Sequence, residues 1–107
     1  MKTVHKFPLR SRGRVASLML PKGAMITKID KQHGSPFVWV LVDTNAPYDQ
    51  QCDILILGTG SDAPVDEGFW PMHTFFEGED NHLVWHAYVK WHTNPQPSNA
   101  VDFTHVA

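Results

Sequence analysis

The chain of 107 residues contains one cysteine, Cys52, which excludes an intramolecular disulfide and any cysteine-built metal framework. Long apolar runs are also missing. No stretch approaches the roughly 18 residues of a membrane-spanning helix, and the lysine-bearing N-terminus has neither the apolar core nor the small-residue cleavage site of a signal peptide. The expected setting is therefore a reducing cytoplasm, without a membrane partner. Acids are almost absent from the first third of the chain. Up to Lys31, the bases Lys2, Lys6, Arg10, Arg12, Arg14, Lys22, Lys28 and Lys31 face a single acid, Asp30, whereas beyond it ten acids face only Lys90. If the fold keeps these segments apart, the molecule has a basic and an acidic side; if early and late strands interleave, the asymmetry cancels.

No amphipathic helical window with caps is present, and no repeat or low-complexity tract precedes the tail. What is present is ordinary globular material, with 42% hydrophobic and 19% charged residues, enough for one core in one domain. Short apolar tracts are punctuated by turn signals. Thr3 to Leu9 reads as a strand, placed at an edge by Pro8, which cannot donate to a ladder. Arg14 to Leu20 and Ala24 to Gln32 follow; the latter alternates, with Met25, Thr27 and Ile29 on one face and Ile26, Lys28 and Asp30 on the other. Phe37 to Val42 and Cys52 to Leu57 are apolar on both faces, which suits central strands. Phe69 to Phe76 and His82 to Trp91 form a hairpin through Glu77 to Asn81. In the last strand Leu83, Trp85, Ala87, Val89 and Trp91 share the core face. Trp39, Trp85 and Trp91 are assigned to the core or its margin, and Ile56 to the core. The whole predicts an all-β fold, a single compact antiparallel β-sandwich or rolled barrel of about seven strands. It occupies residues 1–92, with an extended tail over 93–107 opening on Asn94-Pro95-Gln96-Pro97.

Catalytic constellations do not assemble in the sequence. His82 and His86 have a zinc-binding spacing for a helix, but on a strand their positions lie roughly 13 Å apart, too far for one ion. A site would need a histidine from another strand, such as His73, so no metal is expected, and no cofactor. Gly58-Thr59-Gly60 mimics the opening of a dinucleotide-binding loop, yet the third glycine is missing and Asp62-Ala63-Pro64 starts no helix. Cys52 precedes a buried run, and no serine sits in a nucleophile elbow. A non-enzymatic protein is the expectation.

Two sequence features suit binding. Arg10-Ser11-Arg12-Gly13-Arg14 places three guanidiniums around a glycine turn, so Arg10, Arg12 and Arg14 could offer forked donors to an anion or an acidic partner. The chain has no overall basic excess, which argues against a general nucleic-acid binder. Phe69 and Trp70, followed by Pro71 and Met72, emerge from an acidic loop and read as partner-binding aromatics or as packing over the end of the sandwich. Val101 to Val106 alternates like a strand, so the C-terminal arm, or an edge strand, could support a homo-oligomer.

The ordered set Lys2-Thr3-Val4-His5-Lys6-Phe7, Leu20-Pro21-Lys22-Gly23-Ala24, Phe37-Val38-Trp39, Gly58-Thr59-Gly60 and Leu83-Val84-Trp85-His86 resembles a family of small bacteriophage and prophage proteins known by sequence pattern rather than by activity. The resemblance runs from Lys2 to Val89 and departs around Ser61 to Gly68 and after Trp91. Together with the absence of an assembled catalytic constellation, the resemblance leads to the expectation of a phage accessory protein in the host cytoplasm that acts by binding a host or phage protein, for example one of an anti-phage defence system. Sequestration of a phosphorylated nucleotide is the alternative, and metal-dependent hydrolysis a third reading.

Overall fold

The computed structural model describes residues 1–11 and 14–92. Seven strands follow one another: β1 Lys2–Pro8, β2 Val15–Pro21, β3 Met25–Gln32, β4 Ser35–Asp43, β5 Tyr48–Gly58, β6 Trp70–Glu77 and β7 Leu83–His92. They form two antiparallel sheets, ordered β1-β4-β3 and β2-β5-β7-β6. The all-β sandwich expected from the turn-punctuated apolar tracts is the observed architecture. Among the described residues no helix is long and apolar enough to cross a membrane.

The two doubly apolar tracts become interior strands, β4 and β5, and the strand prolines lie at edges apart from Pro36 at the start of β4. Pro8, Pro21 and Pro71 lie in β1, β2 and β6, the strands at three of the four sheet edges. Strand β5 is longer than its apolar run, because Tyr48–Gln51 pairs with Met19–Pro21 despite its polarity. The buried cluster lies between the sheets. Phe7, Ile29, Val38, Val40 and Val42 meet Leu18, Leu20, Ile54, Phe75, Ala87 and Val89, with Cys52 also inside. Desolvation, with the charge of Asp53 beside it, pushes the Cys52 thiol far above the usual range, so the residue behaves as a small hydrophobe.

Three sequence expectations need correction. In β3 the register shifts between Ile26 and Lys28, so Ile26 pairs with Val40 and Ile29 with Val38 on the same core face. This β-bulge at Thr27, whose hydroxyl donates to the Trp39 carbonyl at 3.1 Å, breaks the strict alternation. Trp39 lies on the outer face of the three-stranded sheet, since Val38 and Val40 on either side of it point into the core. In β7 the core face holds at Ala87 and Val89, whereas Leu83 and Trp91 project at the strand ends, 42% and 36% exposed. Trp85 and Ile56 are partly buried and pack against the cluster margin.

Charge separates with the sheets. Lys2, Lys6, Lys28 and Lys31 all lie in β1 and β3, with Lys22 in the turn into β3, facing only Asp30 and Asp43. The remaining described acids, Asp49 to Asp80, belong to the four-stranded sheet and its loops, where Lys90 is the strand cation. The asymmetry survives because β2, the early strand placed in the second sheet, carries no charge at all.

Candidate binding surfaces

Arg10 and Arg14 are exposed in the connection from β1 to β2, which joins the two sheets. Arg12, the centre of the proposed basic tip, lies outside the described residues. The aromatic pair divides. Phe69 is 7% exposed and Trp70 64% exposed, so Phe69 packs and Trp70 presents its ring. Phe69 lies over the outer face of the four-stranded sheet, with Lys90 Nζ 5.8 Å from its ring centroid. The loop reaches it through a short 3-10 turn, Pro64–Glu67, which is closed by Gly68 and the Phe69 N–H donating to the Pro64 carbonyl. On that face Leu55 is also buried, although it points away from the inter-sheet cluster. Arg10 and Arg14 belong to the flank of β1 and β2. Trp70 belongs to β6, which opposes β3 at the other flank, and the two features form no common site.

Strand β6 is the edge of its sheet and exposes apolar side chains on both sides of the edge. Trp70 pairs with Val89 on the core-side face, Phe76 pairs with Val84 on the outer face, and Met72 sits at a register shift between Pro71 and His73. Phe76 is 56% and Met72 42% exposed. The bulge and Pro71 blunt the N-terminal half of the edge, which leaves His73–Glu77 as its regular portion.

The titratable clusters are structural in their geometry. Asp53 accepts from Ser17 Oγ at 2.8 Å and Gln51 Nε2 at 3.3 Å, while its other oxygen lies 2.9 Å from His92 Nε2. Serine, aspartate and histidine are all present, but the carboxylate stands between the other two. The imidazole therefore takes no proton from the hydroxyl, and the set staples β2, β5 and β7 together. His86 bridges two hydroxyls, Thr59 at 2.7 Å and Thr74 at 3.1 Å, so a neutral ring donates to one and accepts from the other. His73 pairs with Ala87 on the core-side face, opposite the face of His86, so these two histidines cannot converge on one ion. Burial, reinforced by Lys28, holds His73 below the usual imidazole range. Among the described residues no group of three or more His, Cys, Asp or Glu side chains is placed to hold a metal. At the Gly58-Thr59-Gly60 turn only Gly60 has a positive φ, +93°, while Gly58 continues β5 and a side chain there would meet the Trp85 ring. The turn returns the Ser61 N–H to the Gly58 carbonyl, which closes the strand end.

Sequence reasoning missed the β6 edge as a unit and the Asp53 staple. The exposed Phe76 was legible as an apolar side chain on the face opposite Phe75, but the edge position of β6 follows only from the strand order.

These features define a two-sheet antiparallel sandwich with segregated charge and an apolar edge. Residues 1–98 match the model of a family described as a domain of unknown function (DUF7352), and the chain belongs to that family. No curated protein and no solved structure matches it.

Proposed function

We propose that this protein is a small, non-catalytic accessory protein that works by binding another protein through the β6 edge. One observation carries this reading: the edge strand β6, with His73–Glu77 as its regular portion, presents Trp70 before that portion and Phe76 within it, 64% and 56% exposed, on opposite faces. A strand added to such an edge gains main-chain hydrogen bonds, and the flanking side chains select its sequence. A phage origin, suggested by the motifs, would make a host protein, such as a component of anti-phage defence, the natural partner in the host cytoplasm.

Immobilised protein and its W70A/F76A variant, presented in parallel to host lysate, test the reading by mass spectrometry. A partner retained by the parent and lost by the variant supports it, while equal retention by both contradicts it. The alternative, capture of a phosphorylated nucleotide at Arg10, Arg12 and Arg14, draws support from the exposure of Arg10 and Arg14 beside the basic sheet.

A further inference from the structure

The outer face of the three-stranded sheet combines two properties that the sequence order conceals. Its central strand, β4, turns Phe37, Trp39 and Leu41 outward, because Val38, Val40 and Val42 between and beyond them fill the core. On one side Trp39 pairs with Lys6 of β1, and on the other with Lys28 of β3. Paired residues on adjacent strands share a face, so Lys6, Trp39 and Lys28 form one rung, an aromatic residue between two lysines, with strands about 4.8 Å apart. Lys2 lies on the same face, two rungs along β1 from Lys6.

Phe37 and Trp39 have ring centroids 6.2 Å apart and are inclined by 52°. Lys6 Nζ sits 4.6 Å from the Phe37 centroid and donates to Gln32 at 2.8 Å. Beside Trp39 lies an open cavity of about 380 Å³ walled by Val4, Thr27, Lys28, Asp30, Gln32 and Trp39. That volume lies within the range of small-ligand sites, about 300–1,000 Å³. Asp30 and Gln32 supply polar groups there that can address a base edge.

We infer that this face binds single-stranded nucleic acid, with bases against Phe37 and Trp39 and phosphates at Lys2, Lys6 and Lys28. Sheets that stack bases on outward aromatics between cations hold single strands in this manner. The lack of net positive charge is no objection, because eight of the ten described acids belong to the other sheet and its loops, leaving Asp30 and Asp43 against Lys2, Lys6 and Lys28 on this one. A polyanion is thereby attracted to one side and repelled from the other. The Lys28–Asp30 pair, 3.5 Å apart, is an exposed ion pair, weak enough for a phosphate to displace. The proposal uses a different face from the β6 edge and stands without it.

The test is fluorescence anisotropy with labelled oligodeoxythymidine and oligouridine of about twelve nucleotides, within the footprint of a single domain. A polyglutamate peptide of matching charge serves as the comparison. Saturable binding is expected, with log affinity falling against log salt at a slope of about −2, as for three phosphates at roughly −0.7 each. K6E/K28E should weaken binding at least tenfold, and W39A about 5- to 150-fold, while W70A/F76A should leave it unchanged. Lys6 and Lys28 are exposed, so K6E/K28E keeps the test decisive if W39A folds poorly. No saturable binding at low salt, or equal binding by K6E/K28E, overturns the proposal. Polyglutamate binding as tightly with the same variant dependence also overturns it, and reassigns the face to an acidic protein surface.

Discussion

Lys31 of β3 and Glu77 of β6 meet across the open flank of the sandwich, with Nζ 3.0 Å from Oε1. The same carboxylate oxygen accepts the Trp85 indole N–H at 2.9 Å, and the Lys31 ammonium lies 4.9 Å from the Trp85 ring centroid. One lysine from the basic sheet and one glutamate from the acidic sheet thus tie the two layers together at the edge proposed to bind. Hydrogen bonds from Lys31 and then Trp85 hold the Glu77 carboxyl below its ordinary value. A carboxyl lowered in the folded state stabilises the fold above the unfolded pKa, and that contribution is lost as pH falls through the folded value. Urea midpoints of the parent and E77Q should therefore differ at neutral pH and converge in acid. A gap that stays constant with pH would show that the carboxylate charge is immaterial.

Adjacent aromatics should behave as opposites. Phe69→Ala removes a ring that is 7% exposed and should cost about 3–5 kcal/mol, as buried aromatic truncations do. Trp70→Ala alters a ring that is 64% exposed and should stay within about 0.5 kcal/mol. Chemical denaturation of the two variants checks the pair, and equal losses would mean that Trp70 packs as Phe69 does.

Cys52 should resist thiol reagents in the native protein. It is buried at 0% exposure, and both desolvation and Asp53 disfavour the thiolate. Labelling kinetics followed with and without urea should show reaction only on unfolding. Rapid native-state labelling would reveal an opening of the core between β5 and its neighbours.

Gly78 should be the least replaceable turn glycine. Its φ of +90° is strained for other residues, and an added Cβ would lie 2.9 Å from His82 Cε1. At Gly23, with φ +79°, nothing lies within 4 Å. Gly78→Ala should therefore destabilise more than Gly23→Ala, which carries only the backbone cost of about 1–3 kcal/mol. Thermal melts of the two variants decide this, and an equal or reversed order would contradict the packing around His82.

How far the sequence carried the fold depended on whether alternation was intact. It was intact around Ala87 and Val89, and there the core face was readable; in β4, apolar on both faces, it showed an interior strand but not which face is the core. At Thr27 a bulge inserts one residue, a change that leaves no mark on apolar spacing, so strict alternation separates Ile26 from Ile29 where the structure puts them on one face. Trp39 misled for another reason. A large ring in an apolar tract reads as core, yet the inner positions of β4 are filled by valines and the ring covers the outside of the sheet. The basic tip was visible as a motif, but the partition of charge between sheets depended on pairing that no local pattern specifies. Phe69 and Trp70 were recognised together, and only the path of the loop over Leu55 and Lys90 separates the buried ring from the exposed one.

The central claim is that the β6 edge is the protein-binding surface, and hydrogen–deuterium exchange on the complex with a captured partner tests it most directly. Among the described residues, main-chain amides facing outward within His73–Glu77 have no ladder partner on the free side of the edge strand, and such amides exchange readily until a strand is added. Binding should slow exchange in that segment, with the turn from Arg10 to Arg14 unaffected. Protection confined to that turn, with His73–Glu77 unchanged, would contradict the account and move the interface to the opposite flank.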